Sequence, residues 1–111
     1  MYRSVVGGDT AGNGWGRPIS MSSGMDYWIG SWVDSGGGDQ TWDWDGAVWN
    51  QVASGVPAVT TSSVMLTTSL ASLGLSISDT FVFDVFTTGG GGGDGAIDAL
   101  SDPNQTVAGW G

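Results

Sequence analysis

Apolar and polar positions alternate over several short stretches of this chain, and a period near 3.6 is almost nowhere sustained. From Met25 to Val33 the alternation predicts a strand. Met25, Tyr27, Ile29 and Val33 fall on one face, and Asp26, Trp28, Gly30 and Trp32 on the other. Asp34 to Asp39, with three consecutive glycines, ends it in a loop. Gln40 to Trp44 and Ala47 to Val52 then flank Asp45-Gly46, the preferred pair for a two-residue hairpin turn with positive φ at both positions. Such a turn sets Trp44 opposite Ala47 and Trp42 opposite Trp49. Trp42, Trp44 and Trp49 therefore share one side, and Thr41, Asp43, Val48 and Asn50 the other.

Ser63 to Thr68 is rich in β-branched and apolar residues and reads as a strand, and Ser69 to Leu73 as a helical turn closed by Gly74. Asp79 to Thr87 is the best core strand: Phe81, Phe83 and Val85 alternate with Val82, Asp84 and Phe86, so both faces are largely apolar. Val5 to Ser23 shows neither period and reads as loop with at most one short strand. After the five glycines Gly89 to Gly93, Asp94 to Leu100 reads as a short helix and Ser101-Asp102-Pro103-Asn104 as a turn. The expected fold is all-β: an antiparallel β-sandwich or jelly roll with one or two short helical turns. A single domain spans 1–111, with a mostly glycine-rich loop over 1–24, strands over 25–87 and a glycine-rich, irregular tail over 88–111.

Length and composition narrow the function. A chain of 111 residues supports one core, and 40% hydrophobic residues with 7 Trp are enough to drive folding despite 21 Gly. There are 11 Asp, no Glu, no Lys and no His; Arg3 and Arg17 are the only cations, for a net charge of -9. Nothing here neutralises a run of phosphates, so nucleic acid is excluded as a partner and an anionic membrane surface disfavoured. No apolar run is long enough to span a bilayer. Clustered carboxylates make calcium the natural complement. The absence of Cys removes disulfides, thiolate metal sites and a cysteine nucleophile together. Met1 to Gly8 lack the basic and apolar regions of a signal peptide. Even so, the dominance of Gly, Ser, Thr, Asp and Asn without Lys or Glu suits an extracellular or bacterial cell-surface protein.

Catalysis at neutral pH draws most often on His, Glu, Lys or Cys, all missing here, so the chain is not expected to be an enzyme. Asp43 with Asp45 is the nearest approach to a glycosidase pair, but Asp45 is committed to the turn. Indole faces stack on the apolar faces of sugar rings. Trp42, Trp44 and Trp49 thus make either a polysaccharide platform or, because the opposite side of the hairpin is mostly polar, the inner face of a sandwich. Trp28 and Trp32 are the better ligand candidates, since their face also holds Asp26 while Met25, Tyr27 and Ile29 supply core. Gly89, Gly90, Gly92 and Asp94 overlap a calcium-binding nonapeptide pattern in a single copy. The segment reads either as a flexible loop or as a calcium cluster of Asp94, Asp98 and Asp102.

The order of short motifs resembles the later part of DOMON-like β-sandwich domains of bacterial exoproteins, related to family-nine carbohydrate-binding modules. The residues that carry the resemblance are Gly8-Asp9-Thr10-Ala11-Gly12, Met25-Asp26-Tyr27-Trp28-Ile29, the Trp-x-Trp-x-Gly-x-x-Trp pattern from Trp42 to Trp49, and Gly74 to Val85. Asp94 to Asp98 and Asp102 to Gln105 are similar to the closing part of such domains in surface-sorted proteins. The resemblance implies a secreted, noncatalytic sandwich that binds sugar or another small ligand. In such domains further strands precede the Gly-Asp-Thr turn, whereas only Met1 to Gly7 precede it here. An incomplete sandwich is therefore expected, with open sheet edges that invite a homo-oligomer. The rival function is a structural or self-assembling surface protein without a small ligand.

Overall fold

The computed structural model describes residues 7–21, 23–33 and 37–101. It is all-β, with antiparallel sheets in a sandwich-like arrangement and one short 3-10 turn. Strands β1 (Tyr27–Ser31), β2 (Asp39–Trp44) and β3 (Trp49–Gly55) form a three-stranded sheet in that order. Two hairpins accompany it: β4 (Ala58–Val59) with β5 (Val64–Met65), and β6 (Phe86–Thr88) with β7 (Ala96–Ala99).

The sheet is covered on both faces at β1, whereas the edge strand β3 is largely exposed. Trp28 lies opposite Trp42, and Trp44 opposite Trp49, so the four indoles point to one side. On that side Trp28, Ile19, Met25 and Ala96 make a buried cluster, with Trp15, Met21, Trp42, Trp49 and Phe86 packed around it. The loop before β1 and the β6–β7 hairpin thus roof this face. Tyr27 and Ile29 point the other way, against Leu73 and Leu75. Those leucines are delivered by the 3-10 turn Ala71–Leu73, which Gly74 closes in the left-handed region (φ 56°), as the sequence predicts.

The hairpin between β2 and β3 forms, but in a different register. Its loop is Asp45 to Val48, and Trp44 pairs with Trp49 rather than Ala47. Asp45 does not take the positive φ that a two-residue turn requires. Instead its Oδ1 accepts the amides of Ala47 and Val48, each at 2.9 Å, and Oδ2 accepts Asn50 Nδ2 at 3.0 Å. The side chain closes a longer turn by itself, and the Trp44 and Trp49 rings meet at 5.6 Å. The shift is by two residues on one strand, so the facing of the indoles survives.

Two further expectations are corrected. Asp94 to Leu100 is not helical: β7 lies in it, pairing Ala99 with Phe86 and Asp98 with Thr87, and burying Ala96 and Ala99. Pairing with β6 outcompetes the weak helix preference of so short a run. The expected core strand Asp79 to Thr87 becomes regular at Phe86, and Phe81, Val82, Phe83 and Val85 are 46–60% exposed. Alternation that is apolar on both sides does not choose a face. The segment is held by Asp84, whose Oδ1 accepts the amides of Val85 and Ser101 and whose Oδ2 accepts the Ser101 hydroxyl. Ser63 to Thr68 shortens to the two exposed residues of β5. Among the described residues of Val5 to Ser23, the one β contact is the bridge of Asp9 to Met25, as a loop reading predicts.

Candidate functional site

The loop before β1 is irregular but tightly organised around one buried amide. Asn13 is 4% exposed. Its Nδ2 donates to the carbonyls of Arg17 and Ile19, each at 2.8 Å, and its Oδ1 accepts the amides of Trp15 and Arg17, each at 3.1 Å. All four bonding positions of the side chain are filled. The loop so shaped drops Ile19 into the core and projects Trp15 and Arg17 across the sheet.

Two close approaches make room for it. A Cβ at Gly30 would stand 2.7 Å from the Trp15 ring, and one at Gly14 would stand 2.6 Å from Cβ of Trp42. Glycine at these positions lets the loop lie flat on β1 and β2. Trp15 then stacks on Trp32, with centroids 4.3 Å apart and planes at 28°, and meets Trp28 at 6.2 Å. Arg17 places its guanidinium carbon 5.8 Å from the Trp15 ring centroid.

Gln40 ties the group together. Its Oε1 accepts Trp15 Nε1 at 2.8 Å and Trp42 Nε1 at 3.0 Å. An indole N–H only donates, so these two bonds fix which end of the amide is oxygen. Among the described residues the Gln40 NH2 has no hydrogen-bond acceptor. Arg17 Nη1 donates to the carbonyls of Gly89, Gly91 and Asp94 at 3.1, 2.5 and 3.4 Å, which pins the glycine run beside the indoles. The result is an open cleft of about 440 Å³ walled by Trp15, Trp32, Trp42, Gln40 and Arg17, with the backbone of Gly14, Gly90 and Gly92. That volume lies in the range of small-molecule sites, about 300–1,000 Å³.

The sequence-predicted site residues separate into three groups. Trp32, 38% exposed, and Trp42 line the cleft. Trp44 and Trp49 sit together at the far end of the hairpin, where Trp49 Nε1 donates to Asp9 Oδ2 at 2.9 Å. Trp28 and Asp26 are 8% and 5% exposed, and neither lines the cleft. Here the expected ligand face of β1 is corrected at Trp28, which is packed because the preceding loop and the β6–β7 hairpin close over it. Trp28 Nε1 is buried without an acceptor among the described residues. Asp94 Oδ2 accepts the Gly91 amide at 2.8 Å and Asp98 Oδ1 that of Ala99 at 3.0 Å, while Asp102 lies outside the described residues. Among the described residues no group of three acidic side chains is placed to hold a metal ion. No helix there is long and apolar enough to cross a membrane.

Trp15, Arg17 and Gln40 are not legible as site residues from the alternation. Their one signal is compositional: an indole and a guanidinium two positions apart in a glycine-rich loop of a chain almost without cations.

The carboxylates that carry structure respond to acid. Asp9 is held below the ordinary carboxylate range by the Ala11 amide first, then the Trp49 indole and the Gly12 amide, against a small push upward from burial. For Asp45 the Val48 and Ala47 amides lead, with Asn50 behind them. At Asp84 burial pushes upward, but the hydroxyl and amide of Ser101 and the Val85 amide together outweigh it. A depressed folded-state pKa stabilises at pH above the unfolded value, about 3.9 for Asp, and the contribution disappears as pH falls through the lower folded value. The melting temperature is therefore expected to hold or rise from pH 7 to about 5 as self-repulsion declines, then to fall below about pH 4. In Asp9→Asn the acid limb should be shallower; an unchanged limb would mean that Asp9 has no part in it. Comparison of the chain with protein-family models, curated proteins and solved structures finds no match.

Proposed function

We propose that this chain is a noncatalytic, extracellular module that binds carbohydrate in the cleft of Trp15, Trp32 and Trp42. The observation that carries the reading is the convergence of two indoles, Trp15 and Trp42, on one amide, Gln40, with the partly exposed Trp32 stacked on Trp15. Flat aromatic walls accept the apolar C–H faces of sugar rings, and a fixed polar group orients the hydroxyls. Rigidity favours binding, since the indoles lose little freedom when a ligand arrives. Among the described residues the wall side chains include no carboxylate, and so no pair of the kind that glycoside hydrolysis requires.

The test is calorimetric titration of the protein with neutral and acidic oligosaccharides, with indole emission followed in parallel. Binding with a shift in emission is expected for at least one glycan. In Trp32→Ala its affinity should drop at least about tenfold, or 1.4 kcal/mol, with little change in melting temperature, because Trp32 is partly exposed. Silence across the whole panel would sink the reading.

A second reading, a self-assembling surface protein, has its own support in the exposed Phe81, Val82, Phe83 and Val85 and in β3 standing at a sheet edge. It is favoured if sedimentation shows concentration-dependent association while no glycan binds.

A further inference from the structure

Resting on the carbohydrate reading, we infer that the group this cleft selects is a carboxylate on the sugar, set against Arg17 and the Gln40 amide: the ligand is an acidic sugar of the uronate type. Three observations converge on it. The first is a local inversion of charge. In a chain of 11 Asp and net charge -9, no Asp among the described residues lines the cleft, whereas one of the two arginines does.

The second is the state of that arginine. Arg17 is 7% exposed, and among the described residues its side chain bonds to the carbonyls of Gly89, Gly91 and Asp94 and to no carboxylate. Carbonyl dipoles orient a guanidinium without neutralising it, and a buried cation lacking a counter-charge is unfavourable. With Nη1 committed, the other N–H groups of the planar fork suit the two oxygens of a carboxylate.

The third is the donor balance among the side chains. Gln40 Oε1 is occupied by two indole N–H groups, which also consumes the donors of Trp15 and Trp42. What Gln40 and Arg17 still offer is N–H. A hydroxyl both donates and accepts, but an ionised carboxylate only accepts, and it matches such a pair without leaving a polar hydrogen idle. The aromatic wall then packs the ring that carries the carboxylate. The chain's overall negative charge opposes a long polyanion, so short oligomers at about 0.15 M salt, where the Debye length is about 8 Å, give the fair comparison.

The experiment is a calorimetric titration of the full chain with trigalacturonate, with its fully methyl-esterified form and with neutral oligosaccharides. The ester keeps ring and linkage but removes the charge, so the comparison needs no variant. The acid is expected to bind at least tenfold more tightly than the ester. Arg17→Gln should bring the acid down to the level of the ester, and Arg17→Lys should recover part of the difference. Because Arg17 also holds the glycine loop, each variant is read only beside a wild-type-like melting profile, and the wild-type comparison decides if it lacks one. Equal binding of acid and ester, or tighter binding of the ester, overturns the carboxylate inference and leaves carbohydrate binding standing. Binding of neither these nor any neutral glycan overturns both.

Discussion

Replacing Trp28 by alanine is expected to remove about 3–5 kcal/mol, a large share of the roughly 5–15 kcal/mol that holds a domain of this size. Trp28 is buried with Ile19, Met25 and Ala96, lies opposite Trp42 on the neighbouring strand and meets the Trp15 ring at a tilt of 56°. Deleting it opens a cavity where loop, sheet and the β6–β7 hairpin meet. Trp28→Phe should cost less than half as much. It keeps a ring in place and removes an indole N–H that finds no acceptor among the described residues. Urea unfolding followed by far-ultraviolet circular dichroism measures both without relying on the emission of the residue removed. Loss of less than 1 kcal/mol in Trp28→Ala would show that this indole is not the centre of the core, about a quarter of the expected effect.

The contrast with Trp32→Ala separates two uses of the same side chain on one strand and its end. Trp28 and Trp32 share a parity in the sequence, and alternation treats them alike. They differ in what covers them. Trp28 sits under the loop and β7, while Trp32 lies at the margin of the sheet, stacked on Trp15 and partly exposed. That cover comes from residues remote in sequence, so no local period encodes it. The same holds for Phe81 to Val85, whose apolar alternation reads as core but which the described residues leave exposed.

What local chemistry does encode is considerable. The strand at Tyr27, the hairpin after Trp44 and the turn closed by Gly74 all follow from alternation and turn residues. The register of that hairpin does not, because Asp45 has two turn chemistries open to it. In one it lies in the left-handed region beside glycine; in the other its carboxylate caps Ala47 and Val48. The second also pairs Trp44 with Trp49, a cross-strand contact worth about 0.2–1 kcal/mol. A small non-local gain thus decides between two locally acceptable turns. The cleft is harder still to read, since Gln40 becomes a site residue only once the loop has carried Trp15 to it.

Asn13→Asp is expected to collapse that loop while changing the side chain by a single atom. The carboxylate retains one oxygen for the amides of Trp15 and Arg17. The other would face the carbonyls of Arg17 and Ile19, where Nδ2 now donates twice. Two hydrogen bonds become two repulsions in a site that excludes water, for a loss of about 2–4 kcal/mol at neutral pH. Such a carboxyl is more easily protonated in the folded state than in the unfolded chain. Its destabilisation therefore belongs to pH above its unfolded value and shrinks as the medium is acidified. Wild type and Asn13→Asp should differ most in melting temperature near pH 7 and converge toward pH 4, about the unfolded value of Asp. Because Arg17 and Trp15 reach the cleft through this amide, glycan affinity in the variant should fall together with stability and return on acidification. A variant that melts like wild type at pH 7 would show that the loop is held by the packing of Ile19 and Trp15 rather than by Asn13.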